Sequence, residues 1–401
     1  MTEDSREEEI DPFFETVHDG QWNACVGVQG SELNYVEGYL DASRILVDAL
    51  VAGKMMDMRD TLVLPILYNA RHGLELALKY VVAKLVTLEL ARLPEGRANH
   101  HILRYWQHIQ DADVADLVVR EIIAKLEPFV RSLSRMDVDG QQLRYFSTKD
   151  NGRSLGDQAV VHLLLIQGNI AKLAAMVGKL TKRVDLLMQE QQTGTRTTRC
   201  SRSDLIEIVK IVGPHATWVE DAFLARKSAV MSRFGLSKKA FSNALNAIKG
   251  SRELSARIGI ETAQRHVNDE QVVRVAELWF EAYPPTSADA EPATILPRDI
   301  SFESIEQYSR KMQRLVTSVI EELTLEEFAD VETIYYIGRN KDHGEYYELN
   351  LDSTIKQHEL EKSRRHEKVY HIMSKTNLLE GLIAGFRRIG RPSLAARLSE
   401  L

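Results

Sequence analysis

Apolar residues in this chain recur at intervals of three and four, and scarcely anywhere at intervals of two. From Tyr68 to Leu88, the residues Leu74, Leu78, Val81, Val82 and Leu85 make one stripe on a helix. Asp113 to Leu133 repeats the pattern, with a break or kink expected at Pro128. Asp157 to Gln189 repeats it again over a long Leu-, Ala-, Val- and Ile-rich run that begins after the Asn151-Gly152 turn signal. Strand-like alternation is confined to Glu332 to Ile337 and Glu345 to Leu349, which could form one short hairpin across Gly338 to Gly344. The expected class is therefore all-α with at most a short β-hairpin.

At 401 residues the chain exceeds one ordinary core, so several domains are expected. The order predicted is an acidic segment over 1–40, a helical bundle over 41–188, a polar linker over 189–203 and a helical domain over 204–283. A linker over 284–298 and a C-terminal helical domain over 299–401 follow. The second linker stretch carries Pro284, Pro285, Pro292 and Pro297, four of the ten prolines, and proline removes the donor that a helix interior needs. No solenoid-length repeat is visible.

Cys25 and Cys200 are the two cysteines and make no ligand cluster, so no metal or cofactor is expected. The acidic start lacks the basic and apolar regions of a secretory signal. Apolar runs such as Leu62 to Tyr68 are interrupted before a membrane span is complete, so no membrane partner and a cytoplasmic location are expected. Walker, dinucleotide, Gly-x-Ser-x-Gly and His-Glu-x-x-His motifs are missing, which argues against nucleotide hydrolysis, hydride transfer and zinc proteolysis.

Three polar clusters stand out in the first half. Arg71-His72-Gly73-Leu74-Glu75-Leu76-Ala77-Leu78-Lys79 places His72, Glu75 and Lys79 on one side of a helix. After the break Leu93-Pro94-Glu95-Gly96 comes His100-His101-Ile102-Leu103-Arg104-Tyr105-Trp106, and then Leu143-Arg144-Tyr145-Phe146 running into Asp150-Asn151-Gly152. Arg71, His72, Glu75, His101 and Arg144 are the candidate catalytic residues, and His72, Glu75, His101 and Arg144 are expected to converge in one interhelical cleft. The alternative reading is an ion network inside a bundle. Tyr105 and Trp106 read as core.

A helix with Arg-His-x-x-Glu-Leu-x-Leu-Lys, a following His-x-Leu helix with a nearby Trp, and an Arg-Tyr element before Asp-x-Gly resemble bacterial HEPN-like proteins over residues 40–190. The resemblance implies a helical bundle that pairs with a second copy, and a place in phage defence, abortive infection or stress response. It also implies RNA as a substrate for metal-independent cleavage, with His in proton transfer and Arg on the phosphate. Catalytic members carry Arg, four to six residues, then His, and the resembling region departs from that pattern. Arg97 and Arg104 precede His101 and His108 by three intervening residues each. The spacing occurs instead at Arg364 or Arg365 and His371, which gives Arg365 and His371 as an alternative pair.

The middle of the chain carries a second signal. Against a formal charge of -7 overall, Arg226, Lys227, Arg233, Lys238, Lys239, Lys249 and Arg252 make seven basic residues with no acidic one between them. A short helix, Gly235, and Ser237 as the cap of a second helix follow helix-turn-helix grammar. Ala240, Phe241, Ala244, Leu245 and Ile248 would bury one face. Lys227, Arg233, Lys238, Lys239, Asn243, Asn246 and Lys249 are the expected contacts to nucleic acid. A plain helical hairpin with a solvated basic face remains the other reading. RNA or DNA, and a second copy or a hetero-complex, are the expected partners. The leading expectation is a HEPN-like protein that binds nucleic acid and cuts RNA. The others are a DNA-binding regulator and a structural subunit.

Overall fold

The computed structural model describes residues 13, 20–25, 27, 30–92, 100–147, 152–155, 160–283 and 302–401. Most of the acidic lead, the break at Leu93 to Gly96, Asn151 of the turn signal and the proline-rich stretch 284–298 lie outside the described residues. Among the described residues there are sixteen α-helices and no strand, with one isolated bridge between Ser147 and Arg153. The fold is all-α.

The chain divides into two compact units. The first comprises the described residues up to Asp113 and Ile122–Lys182. It holds α1 (Glu32–Val51), α2 (Arg59–Thr87) and α3 (Ile102–Asp111), with most of α4 (Leu117–Met136) and of α5 (Leu163–Gln192). The predicted stripe appears on α2, where Leu74, Leu78, Val81, Val82 and Leu85 are buried. Trp106 and Tyr105 are core residues of α3. Pro65 lies inside α2 and Pro128 inside α4, each without ending its helix.

Helix α5 departs from the sequence reading in one respect. By length and composition it is apolar enough to cross a membrane, and it is one such helix among the described residues. From Leu163 to Thr181 its charged residues are Lys172 and Lys179, too few to interrupt the run as the sequence reading expected. Ile170, Leu173, Val177, Leu180 and Val184 are buried on one face, the pattern of a helix seated on a bundle.

The second unit comprises Val114–Glu121 and Arg183–Leu401. The boundary thus falls within α5, and the stretch 189–203 is ordered. Glu190 takes the Arg183 guanidinium at 2.7 Å, Ser203 Oγ donates to Glu190, and Cys200 is fully buried. Next come α6 (Arg202–Val212), α7 (Ala222–Phe234), α8 (Lys238–Gly250) and α9 (Arg252–Arg257). They enclose one core of Leu205, Ile208, Val230, Phe234, Phe241, Ala244, Ile248 and Leu254.

A second, larger core is built by α10 (Asp269–Ala282), α11 (Phe302–Glu322), α12 (Leu325–Asn340) and α13 (Tyr347–Leu360). Helices α14 (Arg365–Met373), α15 (Leu378–Arg388) and α16 (Pro392–Ser399) complete it. The expected hairpin is not formed: Glu332 to Ile337 lie in α12, and Glu345 to Leu349 lie in a short 3-10 turn and the start of α13. Thr324 and Glu327 form a capping box that starts α12, and Phe328, Val331, Ile334, Tyr335 and Gly338 then bury one face at helical spacing. The local run Ile-Tyr-Tyr-Ile is apolar on both sides, so its period could not be read from so few residues.

Helices α12 and α15 pack backbone to backbone. A Cβ on Gly338 would lie 2.0 Å from the Gly381 carbonyl oxygen, and one on Gly385 would lie 2.0 Å from that of Ile334. Both obstacles are main chain, so no side chain can turn aside. Leu378, Leu382, Phe386, Leu394 and Leu398 are core residues of the same unit. Gly385→Ala should destabilise this unit by about 3 kcal/mol, the upper range for overpacking. An unchanged denaturant midpoint would contradict that packing.

Candidate functional site

Two of the clusters seen in the sequence fall in separate units of the fold. In the first unit α2 carries Arg71, His72, Glu75 and Lys79, one turn apart. Arg71 and Glu75 are each 1% exposed and form an ion pair at 2.9 Å. The remaining Arg71 donors are also used: Nε donates to the Asp137 carbonyl at 2.9 Å and the third nitrogen to the His100 carbonyl at 2.5 Å. The Asp137 carboxylate, itself buried, lies 3.4 Å from Nε. A guanidinium so enclosed cannot receive a phosphate. Arg71 ties the loop before α3 and the end of α4 to α2.

Glu75 is the centre of the cluster. Besides Arg71 it accepts from Lys79 at 2.6 Å and lies 2.8 Å from His100 Nδ1. Burial works to raise its pKa, but the Lys79 hydrogen bond and charge, with His100 and Arg71, hold it below the ordinary carboxylate range. His72 is 4.0 Å from Glu75, stacks on Tyr68 and meets Tyr39 edge-on. Burial, assisted by the charges of Lys79 and Arg71, lowers the His72 pKa against the pull of Glu75. Lys79 and His100 are the exposed part of the group, with side chains 31% and 49% accessible.

The expected convergence is therefore partial. His72 and Glu75 meet, but the histidine that joins them is His100. His101 is the residue before α3, exposed, where its backbone begins the helix. His101 is the histidine of the His-x-Leu pattern; the helix start at Ile102 places His100 back toward Glu75. Asp137 was missed as well, since it has no motif around it. Arg144 is exposed, donates from Nε to the Gly140 carbonyl at 2.6 Å, and lies over the Tyr145 ring. No direct contact to Glu75 joins it to the group.

The alternative pair is separated by use. Arg365 donates to the Leu323 carbonyl at 2.5 Å and so caps the end of α11. His371 lies on α14 with Nε2 3.3 Å from the Tyr336 hydroxyl. Spacing brought the two onto one helix, but the arginine is committed to a carbonyl cap.

The middle segment folds as its local grammar predicted. Gly235 ends α7 in the left-handed conformation at φ 66°, which a side chain disfavours. Ser237 caps α8, accepting from the Ala240 amide at 3.2 Å. Phe241, Ala244 and Ile248 are buried, while Lys238, Lys239, Ser242, Asn243, Asn246 and Lys249 are exposed. The seven basic residues do not act alike. Arg226 donates to the Thr217 carbonyl and hydroxyl, Arg252 is paired with Glu348, and half-buried Lys227 lies over the Phe241 ring. Arg233 is 4.0 Å from Glu207. Lys249 stands over Trp218 at 5.1 Å, and Lys238 and Lys239 have no ion-pair partner among the described residues. The positive surface is thus mainly that of α8.

Among the described residues no group of three or more His, Cys, Asp or Glu could hold a metal ion. Compared with protein-family models, curated proteins and solved structures, the chain matches none.

Glu75→Gln should destabilise the first unit by about 3 kcal/mol, because it leaves the buried Arg71 charge without its carboxylate. With a folded pKa below the ordinary value, the Glu75 contribution is complete above the ordinary carboxylate range and is lost as pH falls through the lower folded value. Thermal unfolding of both proteins from neutral pH downward should show a shallower acid-side decline for the variant. Parallel curves would contradict the assignment.

Proposed function

We propose that this chain is a nucleic-acid-binding protein whose binding face is the α7–turn–α8 hairpin, acting in bacterial phage defence or stress response. One observation carries the binding part: α8 buries Phe241, Ala244 and Ile248 and turns a face of lysine and asparagine to solvent. Lys238, Lys239 and Lys249 supply cations that attract a polyanion, although the chain as a whole is acidic. The biological setting rests on the resemblance of residues 40–190 to HEPN-like proteins. That reading makes the first bundle the partner of a second copy, and exposed Val160, Leu164 and Leu165 supply apolar surface that pairing would cover. Light scattering should then give twice the chain mass at micromolar concentration; a monomer recovered without partner contradicts the pairing.

Reversal of both lysines, Lys238→Glu with Lys239→Glu, should weaken binding to any nucleic acid sequence by about tenfold or more. It should also lower the log–log salt slope on duplex DNA by roughly 0.9 for each phosphate that the variant no longer neutralises. Titration of labelled duplex DNA and single-stranded RNA at two salt concentrations measures both. Equal affinities and slopes for the wild type and the double variant contradict the proposed face.

A second reading, RNA cleavage by the first bundle, is favoured by the position of His100. A carboxylate on one ring nitrogen fixes the tautomer and leaves the other nitrogen for proton transfer, and His100 is half exposed beside Lys79. On this reading His100→Ala abolishes loss of RNA integrity by purified protein, and His101→Ala does not. RNA that stays intact with the wild type retires it.

A further inference from the structure

We infer that α8 reads the major groove of B-form duplex DNA, with Asn243 and Asn246 as the residues that select adenine. This inference rests on the proposed nucleic-acid-binding face. At 3.6 residues per turn, Asn246 comes round to within about 20° of Lys239, and Asn243 to within about 40°. Phe241, Ala244 and Ile248 lie on the opposite side, buried. The stripe Lys239, Ser242, Asn243 and Asn246 is therefore the most outward part of the helix, and Lys238 and Lys249 flank it on one side.

The chemistry of the stripe is not that of a general anion binder. Its one cation, Lys239, is at the first turn, and the rest of it is amide and hydroxyl. An asparagine side chain offers one acceptor and two donors, the complement of adenine N6 and N7 in the major groove. Phosphate binding alone would not require amides there. Neither Asn243 nor Asn246 has a side-chain hydrogen-bond partner among the described residues, so neither amide is committed to the fold. Arg226 and Arg252, whose guanidinium groups are held by carbonyls and carboxylates, are excluded from the reading face.

Shape selects the form of nucleic acid. A helix with side chains is about 10–12 Å across, which fits a B-form major groove about 12 Å wide. The major groove of A-form RNA is too deep and narrow for side chains to read. Gly235 and the Ser237 cap fix the entry of α8. Lys238 and Lys239 then stand where the helix N-terminus would meet the phosphates that border the groove.

The test uses the full chain and a randomised duplex DNA pool, with bound sequences recovered and read. The wild type should enrich a short motif containing adenine. Asn243→Ala and Asn246→Ala should each reduce discrimination at one adenine by about fivefold to a hundredfold. Both sites are exposed and alanine favours helix, so thermal unfolding should be unchanged. A motif that survives both substitutions overturns the assignment to these residues. Duplex binding without sequence preference, or binding to single-stranded RNA alone, overturns the inference and leaves the basic face standing. If neither nucleic acid binds at low salt, the face itself falls, and the inference with it.

Discussion

Burial of Phe241, Ala244 and Ile248 is the constraint on which the proposed function depends. Once those three side chains enter the core shared with Leu205, Ile208, Val230 and Phe234, the helix has no freedom left about its own axis. Lys239, Asn243 and Asn246 must then face solvent. The left-handed turn at Gly235 and the Ser237 cap set where the helix begins, so position along the axis is fixed as well. A side chain placed so firmly from behind can serve recognition at its front. Around this small core the other basic residues take structural work: Arg226 closes the chain over Thr217, and Arg252 joins α9 to α13 through Glu348.

The Glu75 group illustrates the opposite use of charge. Arg71 is surrounded by Glu75, the Asp137 carbonyl and the His100 carbonyl, and all its nitrogens are occupied. Its charge is balanced where it lies, and removing either member would strand the other in a medium that solvates it poorly. What reaches solvent is the edge of the group, Lys79 and His100. A motif built of arginine, histidine and glutamate at helical spacing can thus be the knot of a bundle and, at its rim, a polar surface.

Much of the fold was legible because period and caps are local. The stripe on α2, the turn at Gly235 and the cap at Ser237 depend on residues within a few positions of each other. The helical class followed from them. The strand reading of Glu332 to Ile337 failed for a tertiary reason: α12 is buried well beyond one narrow stripe, because α15 presses glycine to glycine against it, and so short an apolar run does not show its period. The site was legible in part. His72 and Glu75 lie on one helix and could be paired by spacing, whereas the choice of His100 over His101 depends on where α3 begins. Asp137 answers to Arg71 across 66 positions, a distance no local pattern spans. Arg365 and His371 matched a spacing, and only the carbonyls at the end of α11 show why the arginine is taken.

Amide hydrogen exchange of the full chain, with and without saturating duplex DNA, tests whether α8 is the binding face. Slowed exchange is expected at the turn around Gly235 and through the first turns of α8, with the amides of α2 and α12 unchanged. Slowed exchange confined to other helices, or an α8 that exchanges identically with and without DNA, would contradict it.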